Sequence, residues 1–391
     1  MRCRTKAQGL SLYRCPHDLT IKEVFHSCRN KGCTVCKESK QNQWLDAQQQ
    51  RLLNCEHFHL VFTLPSEYHT LWLYNRKWFI NTHFRVVSET LKALLHEPIS
   101  LKDKGKKHLK ATTGYISVLH TWGRQLNLHP HIHCVITAGG LNKAGEWIVP
   151  TNDFLVPIRA IKALYRGKFQ AHIKRLILSE HVNIPRNADQ GSLIGLHQAV
   201  YKKEWSINIQ EKYSHAKGVL NYLSRYLGAS PINPQQIIEA SQKQISFHYK
   251  DHRDSRIKVL SLSHDEFMRR YLMHQPERGV HTTRYYGLYS SQNKQKRQAC
   301  EDILGVTEEQ KQTRKKAVLS AGGETLREVL CSCCGGVMQL TWVSFRTYQS
   351  EKSIIEGVNP IKSTLIPTSG VQQDVRGPDL PRLRRSTELS L

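Results

Sequence analysis

The sequence has no apolar run approaching the ~20 residues that a membrane helix requires. No apolar stretch of signal-peptide length follows Met1-Arg2-Cys3-Arg4. These absences argue against a spanning protein and predict a soluble, intracellular one with no membrane partner. Internal repeats are also missing, which excludes a solenoid. Acidic residues are scarce: 32 Asp and Glu stand against 57 Lys and Arg, a formal charge of +25. Such an excess predicts attraction to a polyanion, of which nucleic acid is the usual case. Hydrophobic residues at 39% and aromatics at 8% argue against a wholly disordered chain. A length of 391 residues predicts two or three domains and a sizeable core.

What the sequence does have is cysteine, unevenly spread. Of 11 cysteines, five fall at Cys3, Cys15, Cys28, Cys33 and Cys36, and three at Cys331, Cys333 and Cys334. In an intracellular chain such clustering points to metal rather than disulfides. Cys28-x4-Cys33-x2-Cys36, with Cys15 upstream, supplies four thiolates for a structural Zn²⁺. His17, His26 and Cys3 are further candidate ligands. Cys331-x2-Cys334 resembles one knuckle of a zinc ribbon, and two cysteines cannot complete a tetrahedral site.

Patterning divides the chain. Residues 1–50 are basic, Cys-rich and without apolar period, as expected of a small metal-held domain. Residues 51–300 mix the two periods, which predicts an α+β domain. Strands are expected at 57–64, 114–122, 131–137 and in a hairpin over 244–262. Helices are expected over 70–96, 157–182, 216–227 and 264–274. Residues 301–345 form a C-terminal Cys-containing segment, and 346–391 read as a disordered basic tail. Lys104, Lys106 and Lys107 lie in a basic loop that can grip phosphate, and Arg29 and Lys31 can do the same beside the cysteines.

Two constellations carry chemistry. In His131-Ile132-His133 the alternation of a strand puts both imidazoles on one face, about 6.5–7 Å apart at Cα, within reach of one divalent ion. His57-Phe58-His59 has the same spacing and is read as a structural strand start, with His59 a minor candidate to assist. In Tyr222-Leu-Ser-Arg-Tyr226 helical spacing stands two phenols on one side, beside the apolar stripe Val219, Leu220, Leu223 and Leu227. A phenol can attack a DNA phosphodiester, and with a pKa near 10 it needs help. A divalent ion held by His131 and His133 can supply that help by polarising the phosphate.

These segments, HPHIH at 129–133 and YLSRY at 222–226, together resemble the two-tyrosine HUH transposases of the insertion sequence 91 type. The likeness extends to SCRNKGCTVC at 27–36, HFHLVFTLP at 57–65, VLHTWGRQLNLHPHIHCVITAGGL at 118–141, FHYKDHR at 247–253, RYYGLYS at 284–290 and LCSCCGGVM at 330–338. It implies an HUH-endonuclease-like antiparallel sheet flanked by helices, with a small N-terminal zinc-binding domain. It implies an enzyme that nicks and joins single-stranded DNA at element ends through 5′-phosphotyrosine intermediates, in rolling-circle transposition. By that resemblance Tyr222 and Tyr226 are the nucleophiles and His131 and His133 ligands of Mg²⁺ or Mn²⁺. His120 is the first candidate for the third ligand and Gln125 the second. The chain departs from the family at Asp18, which stands where relatives usually have the second cysteine of a C-x-x-C pair. The resemblance also implies a bacterial cytoplasmic, nucleoid-associated protein. Two alternatives stand beside this reading: a plasmid or phage rolling-circle replication initiator, and a non-catalytic zinc-containing DNA-binding regulator.

Overall fold

The computed structural model describes residues 3–28, 33, 36, 47–48, 50–96, 109–150, 156–213, 231–251, 253–277, 279–307, 311–312 and 329–344. It opens with a hairpin of β1 (Leu10–Arg14) and β2 (Ile21–Phe25). β3 (His57–Thr63) follows, then α1 (His69–Tyr74) and α2 (Arg76–Leu95). β4 (Gly114–Trp122) and β5 (Leu128–Thr137) form the next hairpin, and β6 (Gly140–Leu141) and β7 (Trp147–Ile148) a short ribbon. α3 (Ile158–Ile177), α4 (Gln190–Tyr201) and β8 (Ile207–Tyr213) complete the first half. A meander of β9 (Ile237–Ala240), β10 (Gln244–Lys250) and β11 (Ile257–Ser263) leads to α5 (His264–Met273). β12 (Thr283–Gly287), α6 (Lys294–Leu304) and β13 (Gln339–Val343) close the described chain.

Five strands build one sheet in the order β12-β4-β5-β3-β8, antiparallel at every pairing. Side chains alternate across it. Phe58, Leu60 and Phe62 of β3, Ile132, Cys134 and Ile136 of β5, and Tyr115 and Leu119 of β4 turn to one face. There they pack on α2 and α3 through Phe79, Val87, Ile161, Tyr165, Phe169 and Ile173. Each such side chain stabilises by about 1.5–3 kcal/mol when fully buried. The opposite face carries His59 of β3, His120 of β4, and His131 and His133 of β5, as the register requires: His120 stands opposite His131, and His59 opposite Val135. Toward one end of that face, Ile116 and Val118 pack with Leu52, Leu53, Leu288 and Tyr289.

The β4–β5 turn explains a leucine in a costly conformation. Leu126 has φ +58, a region that side chains usually avoid. Its side chain is buried with Phe247, Phe267 and Tyr271, so the hairpin tip is pinned to β10 and α5.

One expectation from the sequence is revised. The helix expected over 70–96 is broken at Asn75, whose φ of −128 and ψ of 38 leave the helical region. Its amide donates to Leu71 O at 3.0 Å and Asn183 O at 2.9 Å, and its Oδ1 accepts from Asn183 N at 2.9 Å. Pairing with a distant loop thus replaces helix continuation. Within the segment 301–345, β13 pairs with β1 and adds a third strand to the N-terminal hairpin. Tyr289 is fully buried, and its hydroxyl accepts from Leu53 N and meets His57 Nε2 at 2.7 Å. The tail at 346–391 lies outside the described residues. Among the described residues no helix is long and apolar enough to cross a membrane.

Candidate metal centre

β5 is flanked on both sides, by β4 and by β3, so its side chains are held from both edges. Pro130 near its start lacks an N–H to donate. It sits where the β4 register shifts and one residue beyond the last β3 partner, Thr63 opposite His131, so no ladder bond is lost. The next residues bring three imidazoles together. Ring centroids lie 4.7 Å apart for His120 and His133, 4.8 Å for His131 and His133, and 5.5 Å for His120 and His131. One ring nitrogen from each falls within 4.8 Å of the others.

Neighbours fix these rings. His131 Nδ1 donates to the His129 carbonyl at 2.6 Å, leaving Nε2 with its lone pair. His133 Nδ1 meets His59 Nε2 at 2.9 Å, and the two rings stack at 5.1 Å. His120 stacks on Trp122 at 4.6 Å between centroids. Ligating histidines characteristically engage their second nitrogen in this way. Burial holds His131 down to about pKa 4, helped by the proximity of His129 and His59. Burial, with His120, His131 and His59 nearby, holds His133 well below its ordinary value. Neutral imidazole is the ligating form, so His131 and His133 present lone pairs at neutral pH, and the three-imidazole donor set fits a divalent cation.

The sequence candidates fall as follows. His120, His131 and His133 form this group. Gln125 lies apart, in the turn beyond the strands, where its carbonyl accepts from Arg270 Nη1 at 2.9 Å. His57 is structural: its Nδ1 donates to Cys55 O and its Nε2 meets Tyr289. Tyr222, Tyr226, Arg29, Lys31, Lys104, Lys106 and Lys107 lie outside the described residues.

The cysteines divide differently from the expected set. Cys3, Cys28, Cys33 and Cys36 gather, with Sγ atoms 3.4 Å apart for Cys3–Cys36 and 3.7 Å for Cys28–Cys36. Cys28 N also donates to Cys3 Sγ at 3.4 Å. Four converging thiols without a disulfide are the donor set of a structural Zn²⁺. Cys15 is not among them. β1 and β2 diverge from the turn that holds Cys15, so it sits at the far end of the hairpin, with Asp18, Cys331 and Cys334. His17 does not join the first set either; its ring packs against Gly336.

Sequence reasoning underweighted two residues. His59 looked like part of a strand start, and its role needs the strand register. Cys3 was one option among several, because its spacing to Cys28 matches no short motif.

Residues 114–297 match the family described as "Putative transposase", and residues 1–64 match the "Transposase zinc-binding domain". A "Putative transposase y4qJ" of Sinorhizobium fredii is 32% identical over 78% of this chain and 76% of that protein. The "Transposase for insertion sequence element IS801" of Pseudomonas savastanoi pv. phaseolicola is 28% identical, over 74% of this chain and 68% of its own length. Among solved structures, the chain aligns with TrwC complexed with a 27-mer DNA at 15% identity, over 64% of this chain and 74% of that one, with a TM-score of 0.25.

Proposed function

Since the chain belongs to the insertion sequence 91 family of transposases, we propose that it nicks and rejoins single-stranded DNA through 5′-phosphotyrosine intermediates in rolling-circle transposition. The observation that carries this reading is the convergence of three histidines, His120 and His133 buried and His131 half-buried, on adjacent central strands of the sheet. His120, His131 and His133 would hold Mg²⁺ or Mn²⁺, with imidazole favouring the latter in vitro. Bound there, the ion would supply positive charge against the scissile phosphate.

The remaining chemistry belongs to side chains. The hydroxyl oxygen of Tyr222 or Tyr226 attacks phosphorus, the P–O3′ bond breaks, and the 3′-oxygen leaves and takes up a proton. The 5′-phosphate stays on the tyrosine. A second tyrosine allows one strand end to be held while the next is cut. His129 and His59 orient the ligand rings throughout. DNA is the partner, and the +25 charge favours its approach. Relatives named as transposases over most of their length favour transposition over plasmid replication.

A covalent-adduct assay tests this. Full-length protein is mixed with single-stranded DNA carrying element ends, with Mn²⁺ or with chelator. The expected result is a metal-dependent protein–DNA band, lost in the Tyr222→Phe, Tyr226→Phe double variant while DNA binding survives. Adduct formation by the double variant rejects the nucleophile assignment.

A further inference from the structure

The three-stranded ribbon β13-β1-β2 has very little to hold it. Every residue of β2 is exposed or half-buried, and so is every residue of β13. Its described buried cluster is Cys15, Cys331 and Met338, flanked by Tyr13 and Val329. That is too little apolar surface to order three strands, and small modules of this kind depend on a cross-link or a metal. No cross-link is present: Cys15 and Cys334 Sγ lie 3.5 Å apart, against about 2.05 Å for a disulfide.

The two loops at this end of the ribbon repeat one backbone design. In the first, Leu19 N donates to Cys15 O at 3.1 Å and Cys15 N to Thr20 O at 2.9 Å. In the second, Gly335 N donates to Cys331 O at 3.1 Å and Cys331 N to Gly336 O at 2.9 Å. Leu19 at φ +63 and Gly335 at φ +70 take the same left-handed step. A leucine adopts that step at a cost, so the turn is held by something other than local preference. Under this correspondence Cys15 matches Cys331, and Asp18 matches Cys334.

The donor atoms converge. Cys331 Sγ lies 3.2 Å from Asp18 Oδ2, and one atom from each of the four residues lies within 4.8 Å of the others. Ligands at ~2.3 Å around a tetrahedral Zn²⁺ stand roughly 3.8 Å from one another. Backbone amides already point at the sulfurs: Cys333 N at Cys331 and Gly336 N at Cys334, each at 3.4 Å. A Cβ on Gly336 would stand 3.0 Å from His17 and 3.3 Å from Cys334 Sγ, so the loops meet as closely as they can.

We propose that Cys15, Asp18, Cys331 and Cys334 hold a second structural Zn²⁺, with three sulfur donors and one oxygen, that clasps the strand Gln339–Val343 to the N-terminal hairpin. The half-motif at the C-terminal end is therefore completed by the N-terminal one. Asp18, the departure from the family pattern, is the fourth ligand. A carboxylate is a harder donor than a thiolate, so this zinc is held less tightly than the one at the four-cysteine set.

Full-length protein tests the proposal through metal content and spectra, whether or not the chain cuts DNA. Zinc per chain is counted in the unmodified protein and in the Cys331→Ser, Cys334→Ser double variant. The double variant is expected to lose one equivalent. Asp18→Cys creates a four-thiolate set and is expected to keep its zinc at least about tenfold more tightly against a chelator. Its cobalt-loaded form should show stronger sulfur-to-metal charge-transfer absorption than the unmodified protein. An unchanged zinc count in a folded double variant overturns the proposal. So does an Asp18→Cys protein indistinguishable from the unmodified one in both competition and cobalt spectrum, and this arm decides if the double variant fails to fold.

Discussion

His59 shows how one side chain governs others without touching substrate. Its Nε2 accepts the Nδ1 proton of His133 once the opposite nitrogen of His133 is engaged. Removing such a partner typically weakens metal binding 10–100-fold, about 1.4–2.7 kcal/mol. His59→Ala should therefore raise the Mn²⁺ concentration that half-saturates binding in calorimetry by that factor. His57→Ala, whose ring serves Tyr289 instead, should leave it within about threefold. Equal effects of the two would remove His59 from the positioning role. The sequence made the three-histidine group partly readable, because alternation alone aligns His131 with His133. It could not separate His57 from His59, since both have strand parity and only the register decides which faces the group. The cysteine partition was hidden for a different reason. The second group, which takes Cys15 from the expected set, joins residues more than 300 positions apart and includes an aspartate.

At the level of elements, β3 and β4 were well readable: they begin and end within a residue of the expected spans, since their apolar runs are bounded by Pro65 and by Gly114 and Gly123, whereas β1, β2, β8, β12 and β13 were not among the expected strands. The break between α1 and α2 was not, because Asn75 carries its reason 108 residues away. Asn75→Ala would leave the Asn183 N–H and carbonyl without their present partner. A stranded buried polar group costs about 1–3 kcal/mol. The variant should unfold at lower denaturant with an unchanged slope, despite alanine's better helix propensity. A gain in stability would show that the break is merely local preference. The helix layer also forms a cavity of about 790 Å³ that gathers Arg76, Lys77, Arg85 and Arg175.

For the whole molecule, buried histidines couple stability to acidity. Burial lowers His57 and His274 to about 4 and His83 to about 3. Above pH ~6.5 neither the folded nor the unfolded chain protonates them. Below it the unfolded chain takes up protons that the folded chain refuses, so stability falls as pH drops toward 4. Each group contributes a loss of about 1.4 kcal/mol per pH unit in that window. Urea midpoints measured between pH 7 and 4.5 should fall steeply, and His83→Phe should flatten part of the slope. A flat profile would show that these rings titrate normally.

The third strand of the N-terminal ribbon comes from the opposite end of the chain: Thr341 Oγ1 donates to Leu12 O across 329 residues. During synthesis at ~5–20 residues per second, β1 therefore waits roughly 15–65 s for its partner. For that time its outer edge is unpaired and can capture another strand. The hairpin leaves the ribosome well before the strand that completes it, so a chain interrupted between the two carries an open edge.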